Sequence, residues 1–303
     1  MVESTKPEHQ KIANTIIEKC LSKKSDTLRI GITGVPGVGK STFIERLGKI
    51  LTQKGNRVAV LTVDPSSNRT KGSILGDKTR MQDLVQDANA FIRPSPSGDS
   101  LGGVARKTRE NIILLEAADY NIIIIETVGV GQSETAVHSM VDFFLLLKLS
   151  GAGDQLQGIK RGIMEMADAI AINKADGDNI KRAKLAEVEF KRALHLFPPK
   201  ENGWIPEVTS CSALKNEGLQ ELWSIIEKYV AKTKSSGHFS SKRQQQNKSW
   251  LKQHIESSLK SDFYQDSQVS DTLPALEDKV VKGTVSPFMA AQQLLNIYKR
   301  IKR

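Results

Sequence analysis

The sequence predicts an α/β fold, with a doubly wound, mostly parallel sheet covered by helices on both faces. Short and almost uninterrupted apolar segments alternate with segments of helical periodicity between residues 28 and 232. Strands that are apolar on both faces are typical of parallel sheets buried between helices. The composition over 303 residues, 39% hydrophobic and 26% charged, is that of an ordinary globular protein.

The predicted elements follow one another in a regular order. A first helix over residues 7–24 is indicated by apolar residues at helical spacing. The segments that we interpret as strands are 28–33, 57–63, 90–93, 121–126, 141–149, 169–173 and 208–211. The segments with helical character are a stretch beginning at Lys40, then 108–118, 159–167, 181–195 and 219–232. Beyond residue 233 a polar, basic stretch, either a linker or the start of a helix, precedes two predicted helices, 248–260 and 286–301.

We therefore divide the chain into three regions: an N-terminal helical extension (1–27), the α/β domain (28–232) and a C-terminal helical arm (233–303). Of the net charge of +10, residues 231–303 carry +7. Aromatic residues make up 5% of the chain and no nucleic-acid-binding motif occurs, so the basic arm does not favour a nucleic-acid partner. We interpret the arm as a surface that packs on the main domain or on another chain.

The cellular compartment is predicted from what the sequence contains near its start and from its cysteines. Residues 1–25 mix charged and polar residues, without the apolar core of a signal peptide. Cys20 and Cys211 are too few for a disulfide scaffold. The apolar segments have the length of core strands, shorter than a membrane span. We expect a cytoplasmic protein that does not contact the membrane.

A glycine-rich segment directly after the first predicted strand indicates a nucleotide. Residues 34–41 (GVPGVGKS), called the P-loop below, match G-x-x-x-x-G-K-[ST] and precede a helix. Backbone N–H groups and the helix N-terminus favour phosphate, Lys40 reaches the β- and γ-phosphates, and Ser41 ligates Mg²⁺. The predicted nucleotide contacts here are Gly34, Val35, Pro36, Gly37, Val38, Gly39, Lys40, Ser41 and Thr42.

Two later segments indicate that the base is guanine. Residues 173–176 (NKAD), the base loop below, end a predicted strand, and the Asp176 carboxylate can accept the two donors that guanine presents and adenine lacks. Residues 210–215 (SCSALK), the Ser-Ala loop, follow the next strand, where GTPases commonly contact the guanine O6. The predicted base contacts are Asn173, Lys174, Asp176, Ser212, Ala213 and Leu214.

Acidic residues after two strands complete the predicted site. Glu126 begins ETVG, where many GTPases have D-x-x-G, and Gly129 there would meet the γ-phosphate. Asp64 and Asp77 bound a loop rich in glycine and hydroxyl groups, which suits a switch segment. The predicted catalytic residues are Lys40, Asp64, Asp77 and Glu126, and the predicted metal ligands are Ser41, Asp64, Asp77 and Glu126.

These segments together resemble the MeaB/ArgK family, the metallochaperone GTPases of methylmalonyl-CoA mutase that include the methylmalonic aciduria type A proteins. The matching blocks, over about residues 28–230, are GITGVPGVGKST, VDPSSNRTKGSILGDKTRM, ETVGVGQSE, LSGAGDQLQGIKRGIMEMAD, INKAD and SCSALKNEGL. The resemblance implies a P-loop NTPase of the SIMIBI class, shared with signal-recognition and MinD-like proteins, and a homodimer formed largely by C-terminal helices. It also implies a segment, residues 149–160 with Asp154 and Lys160, that senses the mutase.

The function implied by the resemblance is Mg²⁺-dependent GTP hydrolysis that gates adenosylcobalamin delivery and protects the mutase. The expected ligands are GTP, GDP and Mg²⁺. The cobalamin-ligand motif D-x-H-x-x-G is absent from the sequence, so we expect the cofactor to be held by partner proteins. Three alternatives stay open: an ATP-dependent kinase or ATPase linked to basic amino-acid transport, a non-catalytic nucleotide-binding adaptor, and a GTPase that serves another enzyme such as isobutyryl-CoA mutase.

Overall fold

The structure is a computed structural model that describes residues 2, 4, 6–23, 25–63, 81–95, 101–127, 133–151 and 161–301. The chain forms two compact units, Met1–Gln246 and Asn247–Arg303. The division into three regions that the sequence indicated stays a prediction.

A parallel sheet forms the centre of the first unit. Within the described residues its strands are β1 Leu28–Gly34, β2 Val58–Val63, β3 Ala90–Ser95, β4 Ile122–Thr127, β5 Phe143–Leu149, β6 Ala169–Asn173 and β7 Glu207–Ser210. They lie in the order β3-β2-β4-β1-β5-β6-β7, and each neighbouring pair is parallel. Every residue of β2 and β4 is buried, as expected for strands covered on both faces. The predicted doubly wound α/β class is confirmed.

The helices lie on both faces of this sheet. Those of the first unit are α1 Pro7–Leu21, α2 Lys40–Gln53, α3 Gln82–Val85, α4 Leu101–Ala117, α5 Ser133–His138, α6 Arg161–Met166, α7 Ile180–Leu194, α8 Leu219–Ser235 and the beginning of α9 His238–Gln265. Successive residues of β5 show the two layers: Leu145 and Leu147 pack with α2 and α8, whereas Leu146 packs with α6 and α7. This alternation is the period of two expected for a strand.

The strand order places a crevice at the carboxyl end of β1. The neighbours of β1 are β4 on one side and β5 on the other, so the connections that follow these strands diverge at this point. Such a switch in strand order is where ligands bind in open parallel sheets. The P-loop follows β1, and the base loop begins with the last residue of β6.

The polar stretch after residue 232 is helical and is anchored at the amino edge of the sheet. Both oxygens of the buried Asp142 accept from Arg243, whose Nε and Nη2 lie 2.8 and 2.7 Å away. Lys242 Nζ donates to the Asp142 backbone oxygen at 2.7 Å, and Gln246 donates to Val141 O at 2.9 Å. A buried, bidentate ion pair of this kind fixes geometry strongly, so the first turns of α9 belong to the α/β unit.

The second unit contains the remainder of α9, α10 Ser267–Val281 and α11 Pro287–Ile301. Its buried residues are Val269, Leu276, Ala290 and Leu294, which form a hydrophobic cluster within the unit. The sequence prediction missed α10, whose interior contains Pro274, a residue that normally interrupts a helix.

In the described part of the chain, no helix combines the length and the apolar character needed to cross a membrane.

Candidate nucleotide-binding site

Glycines let the P-loop lie close to the neighbouring strands. A Cβ atom on Gly34 would be 2.6 Å from the backbone oxygen of Leu147 in β5, and one on Gly39 would be 2.9 Å from Asn173 Nδ2. Gly37 and Gly39 have φ angles of +80° and +92°, a region that favours glycine. Helix α2 begins at Lys40, so the backbone N–H groups of its first turn are available to an anion.

Lys40 lies over the P-loop and is held there by the loop itself. Its Nζ donates to Gly34 O at 2.8 Å and to Val35 O at 3.3 Å, and the residue is 8% exposed. Burial lowers the pKa of Lys40 from its usual value, and the nearby carboxylates of Glu126 and Glu134 oppose part of this effect. An ammonium in this position can stabilise negative charge on phosphate oxygens.

Glu126 lies at the carboxyl end of β4, opposite Ile32 of β1, and is 6% exposed. The residue after it, Thr127, donates from Oγ1 to Thr33 Oγ1 at 2.8 Å, which ties the ends of β4 and β1 together. The predicted acid therefore lies on the strand next to the one that carries the P-loop.

Asn173 joins the three predicted nucleotide loops. Its Nδ2 donates to Val38 O of the P-loop at 2.9 Å, and its Oδ1 accepts from Ala213 N of the Ser-Ala loop at 3.1 Å. The residue is 1% exposed. Both the nitrogen and the oxygen of the amide are thus hydrogen-bonded within the protein, and these bonds fix the positions of the three loops relative to one another.

Asp176 is oriented by the neighbouring Ser-Ala loop. Its Oδ2 accepts a hydrogen bond from Ser212 Oγ, which in turn accepts from Lys215 N at 3.1 Å. A carboxylate has about four acceptor positions, so this contact leaves capacity for the paired donors of a guanine ring. Ala175 N donates to Cys211 O at 3.0 Å and fixes the backbone between the two loops.

A cavity of about 210 Å³ lies between these loops. Its lining residues are Gly39, Thr42, Asn173, Lys174, Asp176, Ala213 and Leu214. All of them are residues that the sequence analysis predicted as nucleotide contacts, from three separate segments of the chain. The structure therefore brings the P-loop, the base loop and the Ser-Ala loop to one pocket.

Other predicted site residues do not line this cavity. Val38 is fully buried in the hydrophobic core, so only its backbone can face a ligand, whereas the Pro36 side chain is exposed. Asp64, Asp77 and Gly129 lie outside the described residues, as do Asp154 and Lys160.

Two described side chains fit a Mg²⁺ ion. Ser41, in the first turn of α2, and Glu126 supply the hard oxygen donors that this ion prefers, and Mg²⁺ commonly takes few protein ligands beside water and phosphate. Among the described residues no group of three or more His, Cys, Asp or Glu side chains could hold a metal ion. A dedicated all-protein metal cage is therefore not part of the described site.

Sequence reasoning missed Glu134 in the first turn of α5. It is 8% exposed, and its charge acts on Lys40 as that of Glu126 does. It is the last residue of the ETVGVGQSE block, but nothing in that block indicates an interaction with Lys40, which only the three-dimensional arrangement shows.

Comparison with known proteins gives a consistent family. The family described as "Methylmalonyl Co-A mutase-associated GTPase MeaB" matches residues 1–268. "Probable GTPase Rv1496" of Mycobacterium tuberculosis is 49% identical over 297 residues, which cover 98% of this chain and 88% of the relative. "Methylmalonic aciduria type A homolog, mitochondrial" of Mus musculus is 44% identical over 309 residues, with 99% and 74% covered.

A solved structure is similar over almost the whole chain. The crystal structure of a protein named "LAO/AO transport system kinase" superposes with a TM-score of 0.76 at 37% identity, covering 98% of this chain and 90% of that one. The similarity extends through both compact units.

Proposed function

Because the chain belongs to the MeaB family of methylmalonyl-CoA mutase-associated GTPases, we propose that it serves methylmalonyl-CoA mutase as a GTP-dependent chaperone. The chain is a GTP hydrolase with a P-loop fold. In the proposed role, GTP turnover gates delivery of adenosylcobalamin to the mutase and protects that enzyme. The observation that carries the proposal is the family match over residues 1–268, combined with a pocket that joins the P-loop to Asp176.

The proposed chemistry is attack of water on the γ-phosphorus of GTP, in line with the leaving GDP. Lys40 stabilises charge on the phosphate oxygens, and the N-terminus of α2 binds the same group. Mg²⁺, when bound at Ser41 and Glu126, neutralises charge on the β- and γ-phosphates. Asp64, Asp77 and Gly129 stay proposed members of this site on the basis of the sequence. The Asp176 carboxylate accepts hydrogen bonds from the base.

The proposal places cobalamin on the partner, because the sequence has no cobalamin-ligand motif. It also includes a homodimer formed through the C-terminal helices. Leu251, Ile255 and Leu259 are 61%, 49% and 58% exposed and recur every four residues along α9. An exposed apolar stripe at helical spacing suits a helix that packs against a second copy.

GTP turnover measured with and without purified methylmalonyl-CoA mutase tests the chaperone role. We expect the mutase to raise the turnover rate of the wild-type chain, and to leave the Lys40→Ala variant at background. Isobutyryl-CoA mutase, added in the same assay, distinguishes the two possible clients. Turnover that no acyl-CoA mutase changes would reject the chaperone role and leave a GTPase with another partner.

An ATP-dependent kinase is a second candidate, favoured by the name of the similar solved structure. The two functions differ in the base they require. A carboxylate positioned for two donors rejects a base that lacks them, so we expect GDP to bind at least about tenfold tighter than ADP. Asp176→Asn should reduce this preference, because an amide cannot accept both donors. Equal binding of GDP and ADP in calorimetry would favour the kinase.

A further inference from the structure

Asn179 links the base loop to the end of β5. Its Nδ2 donates to the backbone oxygen of Lys174 at 2.6 Å, and its Oδ1 accepts from Ser150 Oγ at 2.5 Å. Ser150 is the residue directly after β5, and Lys174 is the second residue of the base loop. One amide therefore connects two segments that follow different strands.

The Asn179 side chain bonds the base loop and not its own helix. Asn179 is the residue before α7 and the last residue of a short 3₁₀ turn, Gly177–Asn179, and its backbone is already helical, with φ −86° and ψ −9°. A helix-capping residue normally has an extended backbone, and the Asn179 side chain makes no capping bond. The amide is directed at the base loop instead.

The bonded residue, Lys174, has an unusual backbone that needs external support. Its φ is +60°, in the left-handed region that side chains other than glycine rarely adopt. The residues on either side are already fixed, Asn173 by Val38 and Ala213, and Ala175 by Cys211. The bond from Asn179 to the Lys174 oxygen holds the turn between them.

We propose that Asn179 is a positioning residue for guanine binding, which fixes the base loop at Lys174 and couples it to Ser150. The inference rests on the proposed guanine pocket. Asp176 follows Lys174 by two residues, so a change in the left-handed turn moves the carboxylate relative to the cavity that both residues line. A displacement of Ser150 reaches the base loop through the same amide.

The variants Asn179→Ala and Asn179→Asp separate this role from a contribution to the stability of α7. Aspartate has nearly the size of asparagine, and its negative charge near the start of a helix interacts favourably with the helix dipole. It cannot donate to the Lys174 oxygen and places a negative charge beside it. A purely structural role therefore predicts that Asn179→Asp is harmless, whereas a positioning role predicts that it is as damaging as Asn179→Ala.

Calorimetry with GDP and ADP, and steady-state GTP turnover, are measured on the full chain with Mg²⁺. We expect both Asn179 variants to bind GDP about tenfold more weakly, because a tenfold change in affinity corresponds to the loss of one ordinary hydrogen bond. KM for GTP should rise by a similar factor while kcat at saturating GTP stays the same, because the phosphate contacts are untouched. Ser150→Ala should weaken GDP binding less, and should add nothing in the Asn179→Ala background.

The matched control is Asn202→Ala, which removes an asparagine side chain whose Oδ1 accepts from the backbone N–H of Trp204 at 2.9 Å. Asn202 precedes β7 and so lies near the amino ends of the strands, whereas the pocket lies at their carboxyl ends. This variant should bind GDP as the wild type does. Melting temperatures of all variants show whether a loss of affinity reflects a loss of folded protein.

Two failures are distinguishable. If the wild type does not prefer GDP to ADP, the guanine pocket and this inference are both wrong. If the wild type prefers GDP but Asn179→Asp binds it within twofold of the wild type, the inference alone is overturned. Additive effects of Ser150→Ala and Asn179→Ala would likewise refute the coupling between them.

Discussion

The close approach of Gly39 to Asn173 allows a quantitative test, because a side chain at residue 39 would collide with the Asn173 amide. Gly39 and Gly37 have φ angles of +92° and +80°, so alanine at either position costs about 1–2 kcal/mol in backbone conformation. Their surroundings differ. A Cβ atom at residue 37 has no heavy atom within 4 Å among the described residues, whereas one at residue 39 lies 2.9 Å from Asn173 Nδ2.

Asn173 cannot yield without losing its own contacts. Its amide bonds Val38 O and Ala213 N, each bond being worth about 1 kcal/mol net. Gly39→Ala should therefore lower the free energy of unfolding by about 2–4 kcal/mol, against about 1–2 kcal/mol for Gly37→Ala. The difference between the two variants isolates the cost of moving Asn173.

Urea unfolding of the full chain, followed by the fluorescence of the buried residues Trp204 and Trp223, measures both values. Calorimetry with GDP should show a further loss of affinity for Gly39→Ala, because the displaced Asn173 no longer joins the P-loop to the base loop. If the two alanine variants were equally stable, the reasoning from this contact would be refuted.

Three other predictions concern buried groups. Lys40→Ala should abolish tight GDP binding in calorimetry, and tight binding by this variant would contradict the role given to Lys40. Burial lowers the pKa of Lys148 from 10.5 to about 8, so the unfolded chain binds more protons between these pH values. Its contribution therefore makes stability rise from about pH 8 to about pH 10.5, and Lys148→Met should remove that part of the rise in urea titrations at several pH values. Burial raises the pKa of the Cys211 thiol to about 12, so iodoacetamide at about pH 8 should label Cys20 in the folded protein and both cysteines in urea; equal labelling rates would contradict the buried position.

The parts of the fold that local sequence determines were predicted most accurately. β6 has the predicted bounds, since its five residues are all buried. α2 begins at the predicted Lys40, because a glycine-rich loop between a buried strand and a helix fixes where the helix begins. β5 begins at Phe143 and not at residue 141, because the Asp142 side chain is engaged elsewhere and its Oδ2 accepts from Arg29 N at the start of β1. A contact over 113 residues of sequence leaves no local pattern.

The same distinction applies to the candidate site. The lining residues of the cavity belong to motifs whose spacing is local, and they were predicted from sequence. Glu134 and Asn179 act through Lys40 and Lys174, in arrangements that no short pattern specifies. Asn179 in particular is one polar residue among several in the turn before α7, and only its hydrogen-bond partners reveal its use.

Amide side chains join the loops of the pocket, so the loops are already ordered before a nucleotide binds. Asn173 and Asn179 bond the loops to each other within the protein, so the cost of ordering them belongs to folding and not to nucleotide binding. Asp176 has a different proposed role, because we expect its carboxylate to accept hydrogen bonds from the base itself. Substitutions at residues 173 and 179 should therefore weaken GDP binding through loop position, while Asp176→Asn changes the ratio of GDP to ADP affinity. Both quantities come from the same titrations, so the two kinds of contribution can be separated residue by residue.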